Sequence, residues 1–144
     1  MGDTLLQERY ARVLERLDAA CAAAGRSRQS VRLIAVSKLH PAESLAVIAA
    51  AGQIDFGENY VQEALQKRLD LAADPATAEL CAGIRWHMIG HVQSRKAPLV
   101  AGAFSLVHTL DSRKLADAME RRLVEADARQ SVLFEVNVGG ESQK

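Results

Sequence analysis

The residue best suited to chemistry in this sequence is Lys38, a primary amine that follows an apolar run. Residues 31–37 carry apolar side chains on both alternating faces, which is typical of a buried strand. Pro41 suits the first turn of a helix, because its missing N–H costs nothing there. Lys38 is therefore predicted where a strand gives way to a helix, the place where α/β folds bind ligands. An amine partly withdrawn from water there can attack a carbonyl carbon, whereas a solvated lysine at a strand end is the plainer alternative.

Polar residues follow four further apolar runs, so that clusters recur at comparable points along the chain. Because the carboxyl ends of parallel strands meet at one rim, such residues converge on one mouth, and the sequence predicts a ligand site there. The five clusters are Ser37-Lys38, Gly57-Glu58-Asn59-Tyr60, His87-x-x-Gly90, His108-x-x-Asp111 and Asn137-x-x-x-Glu141.

Several of these residues have a structural alternative. Asn59 is as consistent with a helix cap as with a ligand contact, and Asp111 fits a cap or turn better than a ligand. Glu58 could act as a general acid or base, although carboxylates at loop starts are usually solvated. His87 and His91 would stand about 13 Å apart on a strand, so they predict no metal site.

Helix and strand signals alternate along the chain, and these elements must position the clusters. Such alternation indicates parallel strands joined by right-handed crossovers, with about 25 residues per repeat. Residues 1–144 therefore form either an open five-stranded sheet or the first part of a (β/α) TIM-type barrel of eight repeats in one domain. The predicted strands cover about residues 31–38, 54–57, 84–90, 104–110 and 132–138, and the predicted helices about 4–24, 41–51, 61–72, 93–100 and 112–126.

Composition restricts the class of function. The 144 residues include 18 basic and 18 acidic side chains, a formal net charge of zero that does not favour nucleic-acid binding. The alanine-rich stretches are too short to span a bilayer, and the N-terminus does not resemble a signal peptide. Cys21 and Cys81 are far apart without metal or disulfide spacing, and Cys21 falls on the apolar face of the first helix. The sequence thus predicts a reduced, cytoplasmic protein that does not use a membrane.

In order and spacing, the five clusters resemble those of the pyridoxal-phosphate homeostasis proteins, a single-domain family with an alanine-racemase-like barrel. The resemblance implies that Lys38 forms a Schiff base with pyridoxal 5'-phosphate (PLP). It also implies that Asn59 lies in the cofactor pocket and that His87, Ile89 and Gly90 line the pocket wall. The matching stretches are Ala35-Val-Ser-Lys38, Phe56-Gly-Glu-Asn-Tyr-Val-Gln-Glu63, Trp86-His-Met-Ile-Gly90 with Gln93-Ser94 and Lys96, Val107-His-Thr-Leu-Asp-Ser112 with Lys114-Leu-Ala116, and Val136-Asn-Val138 with Gly140-Glu141 and Lys144.

The same resemblance implies a function. The implied function is to bind PLP for intracellular PLP homeostasis, without robust catalysis. Such a protein would be monomeric and would pass the cofactor to PLP-dependent apoenzymes. A PLP-dependent amino-acid racemase using Lys38 as base is the alternative. Residues Leu39-His40, His91, Arg95 and Thr109 depart from the usual family pattern beside the site. Relatives continue for roughly three more strands of the eight in a barrel, and we expect their phosphate-holding loops to lie past Lys144.

Overall fold

Five parallel strands form one sheet, and their spatial order follows the chain. The computed structural model describes residues 2–140. Each strand pairs in parallel with the next along the sequence. This confirms the predicted α/β fold of successive parallel strands. The strands are β1 (Ala35–Val36), β2 (Asp55–Glu58), β3 (Arg85–Met88), β4 (Leu106–Leu110) and β5 (Val132–Phe134).

The first and last strands are shorter than the apolar runs that predicted them. Of residues 31–38 only Ala35 and Val36 are in ladder pairing, and of residues 132–138 only the first three are. Gln53 contributes to the shortness of β1, because its side-chain amide donates to the carbonyl of Leu33 at 2.9 Å. The chain before β1 is thus held by a side chain rather than by a neighbouring strand.

Six helices alternate with the strands within residues 2–140. The first begins at Gly2, before its predicted start near residue 4. The helix from Pro75 was not predicted: the Asp74-Pro75 pair ends one helix and also starts the next, with the Asp74 carboxylate accepting from the N–H of Ala76. The helices are α1 (Gly2–Ala23), α2 (Ala42–Ala50), α3 (Val61–Ala73), α4 (Pro75–Ala82), α5 (Ala97–Val100) and α6 (Arg113–Glu125), with 3₁₀ turns at Arg28–Ser30 and Ser94–Lys96.

The apolar core lies between the helices and one face of the sheet. Phe56, Met88 and Val107 are buried on that face, where Leu45 of α2 and Leu115 of α6 join them. Because successive strand residues point to opposite sides, the other face carries a second set of side chains. We call it the inner face and define it by Ile34, Val36, Asp55, Gly57, His87, Ile89 and His108.

Helix α3 turns a different side to the core from the one predicted. The sequence pattern favoured Val61, Leu65, Leu69 and Ala72, but Leu69 is 65% exposed. The buried positions are Val61, Ala64, Lys67 and Leu71. The buried side thus includes Lys67, whose ammonium donates to two carboxylates and one carbonyl oxygen.

The cysteines and the helices can be compared with the predictions from composition. Cys21 is buried in α1 as expected, and both Cys21 and Cys81 are free. No helix within residues 2–140 has the length and apolar character needed to cross a membrane.

Candidate functional site

Neighbouring strands bring several of the predicted clusters together at the carboxyl rim of the sheet. The N–H of Ser37 donates to the carbonyl of Gly57 at 3.0 Å, and that of Ile89 donates to the carbonyl of Glu58 at 2.9 Å. The Thr109 hydroxyl donates to the carbonyl of Gly90 at 2.7 Å. The segments that follow β1 to β4 therefore form one continuous rim. Glu141 of the fifth cluster lies outside the described residues.

Lys38 lies in a four-residue turn at this rim. The carbonyl of Ser37 accepts the N–H of His40 at 3.1 Å, which closes the turn around Lys38 and Leu39. Leu39 has a φ of 64°, a left-handed conformation that favours glycine in the third position of such turns. Lys38 itself is exposed, and its amine has no hydrogen bond or ion pair within residues 2–140. The expected withdrawal of this amine from water is therefore not observed.

A group of charged and polar atoms, centred on the buried Lys67 and Glu58, holds both sides of this turn. We call it the Lys67 cluster: Ser37, Glu58, Glu63, Lys67 and the N–H of Leu39. The Lys67 ammonium donates to the Ser37 carbonyl at 2.7 Å, to Glu58 Oε1 at 2.7 Å and to Glu63 Oε1 at 2.6 Å. Its three N–H donors thus match three acceptors. The Ser37 hydroxyl donates to Glu58 Oε1 at 2.7 Å, and the N–H of Leu39 donates to Glu63 Oε1 at 2.5 Å.

The two carboxylates of the Lys67 cluster differ in environment. Glu58 is completely buried, so its expected solvation at a loop start is wrong, and its Oε2 has no hydrogen-bond partner among residues 2–140. Glu63 is partly exposed. Burial acts to raise the pKa of Glu63, but the Lys67 ammonium, the N–H of Leu39 and the charge of His40 together bring it below its ordinary value.

Gly57 and Gly90 allow close packing at and just below the rim. A Cβ on Gly90 would lie 2.6 Å from the Cα of Asn59 and closer still to its carbonyl oxygen, so no side chain fits there. A Cβ on Gly57 would lie 2.9 Å from Ile89 Cδ1 and 3.0 Å from Ile34 Cγ2, which places both isoleucines over Gly57 on the inner face. The predicted pocket residues Asn59, Ile89 and Gly90 are therefore adjacent.

Asn59 and Asp111 do not act as the helix caps that the sequence suggested. The N-cap of α3 is Tyr60, which makes no side-chain capping bond. Ser112 caps α6 by accepting the N–H of Leu115 at 3.3 Å. Asp111 instead pairs with His91, with 2.9 Å between Oδ2 and Nδ1.

His87 belongs to a polar network on the inner face. The Asp55 carboxylate accepts hydrogen bonds from Nε and Nη2 of Arg85, at 2.9 and 2.6 Å. Asp55 Oδ1 also lies 2.8 Å from His87 Nε2. His87 Nδ1 lies 3.0 Å from His108 Nε2. Both ring nitrogens of His87 are thus engaged, and the residue is 1% exposed. No group of His, Cys, Asp or Glu side chains with metal-binding geometry occurs within residues 2–140.

The network shifts the pKa values of its outer members. Burial acts to raise the pKa of Asp55, but hydrogen bonds and charges from Arg85 and His87 lower it below the ordinary value. Burial, together with the charge of His87, lowers the pKa of His108. The short contact between His87 Nδ1 and His108 Nε2 also disfavours protonation of His108, because two protonated imidazoles cannot share one hydrogen bond.

Sequence reasoning missed Glu63 and Lys67 as site residues. Their spacing of four on a helix was visible, but such pairs usually lie on the solvent side. The signal that could have found them is the conflict between Lys67 and the otherwise apolar side of α3. A lysine flanked by Ala64 and Leu71 on a buried face needs an acidic partner.

The fold and the rim together define the class of protein. It is an α/β protein of successive parallel strands, of the TIM-barrel type, with a lysine presented at the carboxyl end of the first strand. In such proteins the strand-end rim is the ligand-binding end.

Comparison with known proteins gives the family. A pyridoxal phosphate homeostasis protein of Aquifex aeolicus is 39% identical over 137 residues, which are 95% of this chain and 57% of that protein. The protein of the same name from Pseudomonas aeruginosa is 40% identical over 139 residues, 96% of this chain and 57% of that protein. The structure of PipY from Synechococcus elongatus PCC7942 with PLP bound has a TM-score of 0.68 and 34% identity, covering 85% of this chain and 54% of PipY. No protein-family model matches the chain.

The chain belongs to the pyridoxal phosphate homeostasis protein family. It spans a little over half the length of the relatives that it matches. The family that the sequence resembles is thereby confirmed.

Gly90→Ala tests the close packing of the rim. The added methyl group would overlap the backbone of Asn59, so we expect the free energy of unfolding to fall by about 1–3 kcal/mol or more. Urea unfolding of the 144-residue chain measures this. Gly83→Ala is the matched control, since nothing lies within 4 Å of its Cβ position, and it should change stability by less than about 0.5 kcal/mol. Equal stability of the two variants would refute the close approach.

The lowered pKa of His108 predicts acid sensitivity. The folded chain binds this proton less readily than the unfolded chain, in which histidine titrates near about pH 6.5. Stability should therefore fall as the pH is lowered through about 6.5, and the loss should level off below the folded pKa. Urea midpoints between pH 7.5 and 5 should show a smaller dependence in His108→Gln. An unaltered slope in His108→Gln would contradict the assignment.

Proposed function

We propose that this protein binds PLP covalently through Lys38 and serves the intracellular homeostasis of that cofactor. The observation that carries the proposal is a free, exposed amine, fixed in an anchored turn at the carboxyl rim of a TIM-type sheet. The relatives support it, because they are named for PLP homeostasis and PipY has been solved with PLP bound. As part of the same proposal, PLP-dependent apoenzymes receive the cofactor from a monomeric, cytoplasmic protein.

The residues of the rim fit the reactive end of PLP. The cofactor supplies an aldehyde, which condenses reversibly with a primary amine. Lys67 is buried among its three acceptors, and Lys96 donates to Gln62 at 2.8 Å, so neither amine is available in the way that of Lys38 is. Lys114 is exposed as well, but it lies on α6 rather than at a strand end.

We further propose that Asn59, Ile89 and Gly90 form the wall beside Lys38, with His87 beneath them on the inner face. The absence of a side chain at Gly90 lets the backbone of Asn59 approach it closely, and the absence of one at Gly57 leaves room for Ile89. His87 is held by Asp55 and His108, and it would support this wall rather than turn toward the cofactor.

The phosphate of PLP needs N–H donors or cationic groups. In TIM barrels these are typically provided after strands seven and eight. Because residues 2–140 contain five strands, we place the phosphate contacts of the proposed site outside them.

Mapping of the modified lysine tests the covalent role of Lys38. After incubation with PLP and reduction with borohydride, peptide mass spectrometry should find the pyridoxyl group chiefly on Lys38. Lys38→Ala should remove that adduct without loss of stability, because the side chain is exposed and makes no bond within the described part of the chain. Lys114→Ala is the matched control and should retain the adduct on Lys38. An adduct that stays chiefly on another lysine in the wild type would refute the proposal.

The proposed role is carriage of the cofactor without robust catalysis, as the names of the relatives suggest. The competing function is an amino-acid racemase in which Lys38 is the proton-transfer base. We expect the PLP-loaded protein to racemise L-alanine no faster than free PLP at the same concentration, measured by chiral chromatography. Racemisation above that level which disappears in Lys38→Ala would favour the enzyme instead.

A further inference from the structure

The turn that carries Lys38 is shaped by residues of α3 rather than by its own sequence. Leu39 has a φ of 64°, which a branched L-residue adopts only when its surroundings impose it. Leu39 is 79% exposed, so its side chain is not packed in a way that would impose this conformation. Its N–H, however, donates to Glu63 Oε1 at 2.5 Å.

The other side of Lys38 is held by the same helix. The carbonyl of Ser37 accepts the Lys67 ammonium at 2.7 Å, and the Ser37 hydroxyl donates to Glu58. Lys67 and Glu63 are themselves joined at 2.6 Å. The residues that precede and follow Lys38 are therefore tied to one ionic group, while the side chain of Lys38 is left free.

We propose that Glu63 and Lys67 are positioning residues for Lys38: they hold the turn in the conformation that presents its amine at the rim. This inference rests on the proposed role of Lys38 as the PLP-binding lysine. Lys67 fixes the Ser37 side of the turn. Glu63 offsets the cost of the positive φ at Leu39 by accepting its N–H.

Glu63 is the better residue for a test. Lys67→Met would leave the carboxylate of Glu58 buried without its cation, and the chain could fail to fold for that reason alone. The side chain of Glu63 is 23% exposed, so water can replace part of what Glu63→Ala removes. Gln66 lies on the same helix, is exposed and, within residues 2–140, bonds only Asp70, so Gln66→Ala is the matched control.

The experiment measures the pyridoxyl adduct on Lys38 relative to that on Lys114 in one sample, after brief exposure to PLP and reduction with borohydride. In Glu63→Ala the turn loses its hold on Leu39, and we expect the ratio to fall about five- to tenfold. Gln66→Ala should leave it unchanged. All variants are compared under conditions where circular dichroism shows them to be folded, because unfolding would equalise the two lysines.

Two rescue variants separate positioning from general stability. Glycine adopts positive φ freely, so adding Leu39→Gly to Glu63→Ala should restore most of the ratio. Glu63→Gln keeps an oxygen acceptor for the N–H of Leu39 and should stay within about threefold of the wild type. A ratio unaffected by Glu63→Ala, or one that neither rescue variant raises, would overturn the positioning role.

Failure of the inference differs from failure of the proposed function. If Lys38 is modified no more than Lys114 in the wild type, Lys38 is not the PLP lysine and the proposed function fails. If the wild type modifies Lys38 selectively and Glu63→Ala does so equally well, only the positioning role fails.

Discussion

The buried ion pair between Lys67 and Glu58 is the interaction on which the rim of this protein depends. Removing two charges from water is costly, and such a pair is stable only when further hydrogen bonds satisfy it. Here the ammonium has three acceptors, and one of them is the main-chain carbonyl of Ser37. Loss of the Lys67 charge would leave the carboxylate of Glu58 buried without its cation, at a cost of about 3–5 kcal/mol. The pair therefore ties α3 to the ends of β1 and β2, where Lys38 and Asn59 follow.

Strand β2 serves two polar groups on opposite faces of the sheet. Asp55 lies on the inner face and holds Arg85 and His87, whereas Glu58 lies on the helix side and holds Lys67. The alternation of side chains along a strand makes this separation possible within four residues. One group organises the interior beneath the rim, and the other organises the turn that carries the lysine.

Hydrophobic periodicity was sufficient to predict the five parallel strands and the rim. The spacing of apolar residues along the chain indicates directly whether one or both faces of a strand are buried. The position of Lys38 at the end of β1 followed from the same pattern. The burial of Lys67 did not, since its partners Ser37 and Glu58 are 30 and nine residues away along the chain. Nor did the positive φ of Leu39, which leucine rarely adopts and whose N–H donates to Glu63 on α3.

Other features of the site also arise from contacts between distant segments. Gly90 has no room for a side chain because the backbone of Asn59 lies against it. A glycine in a strand pattern indicates a close approach but not which residue makes it. The Asp74-Pro75 pair ends α3 and also starts α4, because both residues are favoured at the beginning of a helix. Local sequence thus determined the elements, and tertiary contacts determined how they present the lysine.

In the proposed function, the fold presents Lys38, in a turn held by α3, as the covalent binding residue for PLP. A crystal structure of the protein grown with PLP tests this most directly. We expect a covalent bond from Lys38 Nζ to the cofactor, with φ of Leu39 still positive and its N–H still donated to Glu63. Cofactor bonded to a different lysine, or bound at Lys38 with Glu63 turned away from the turn, would contradict it.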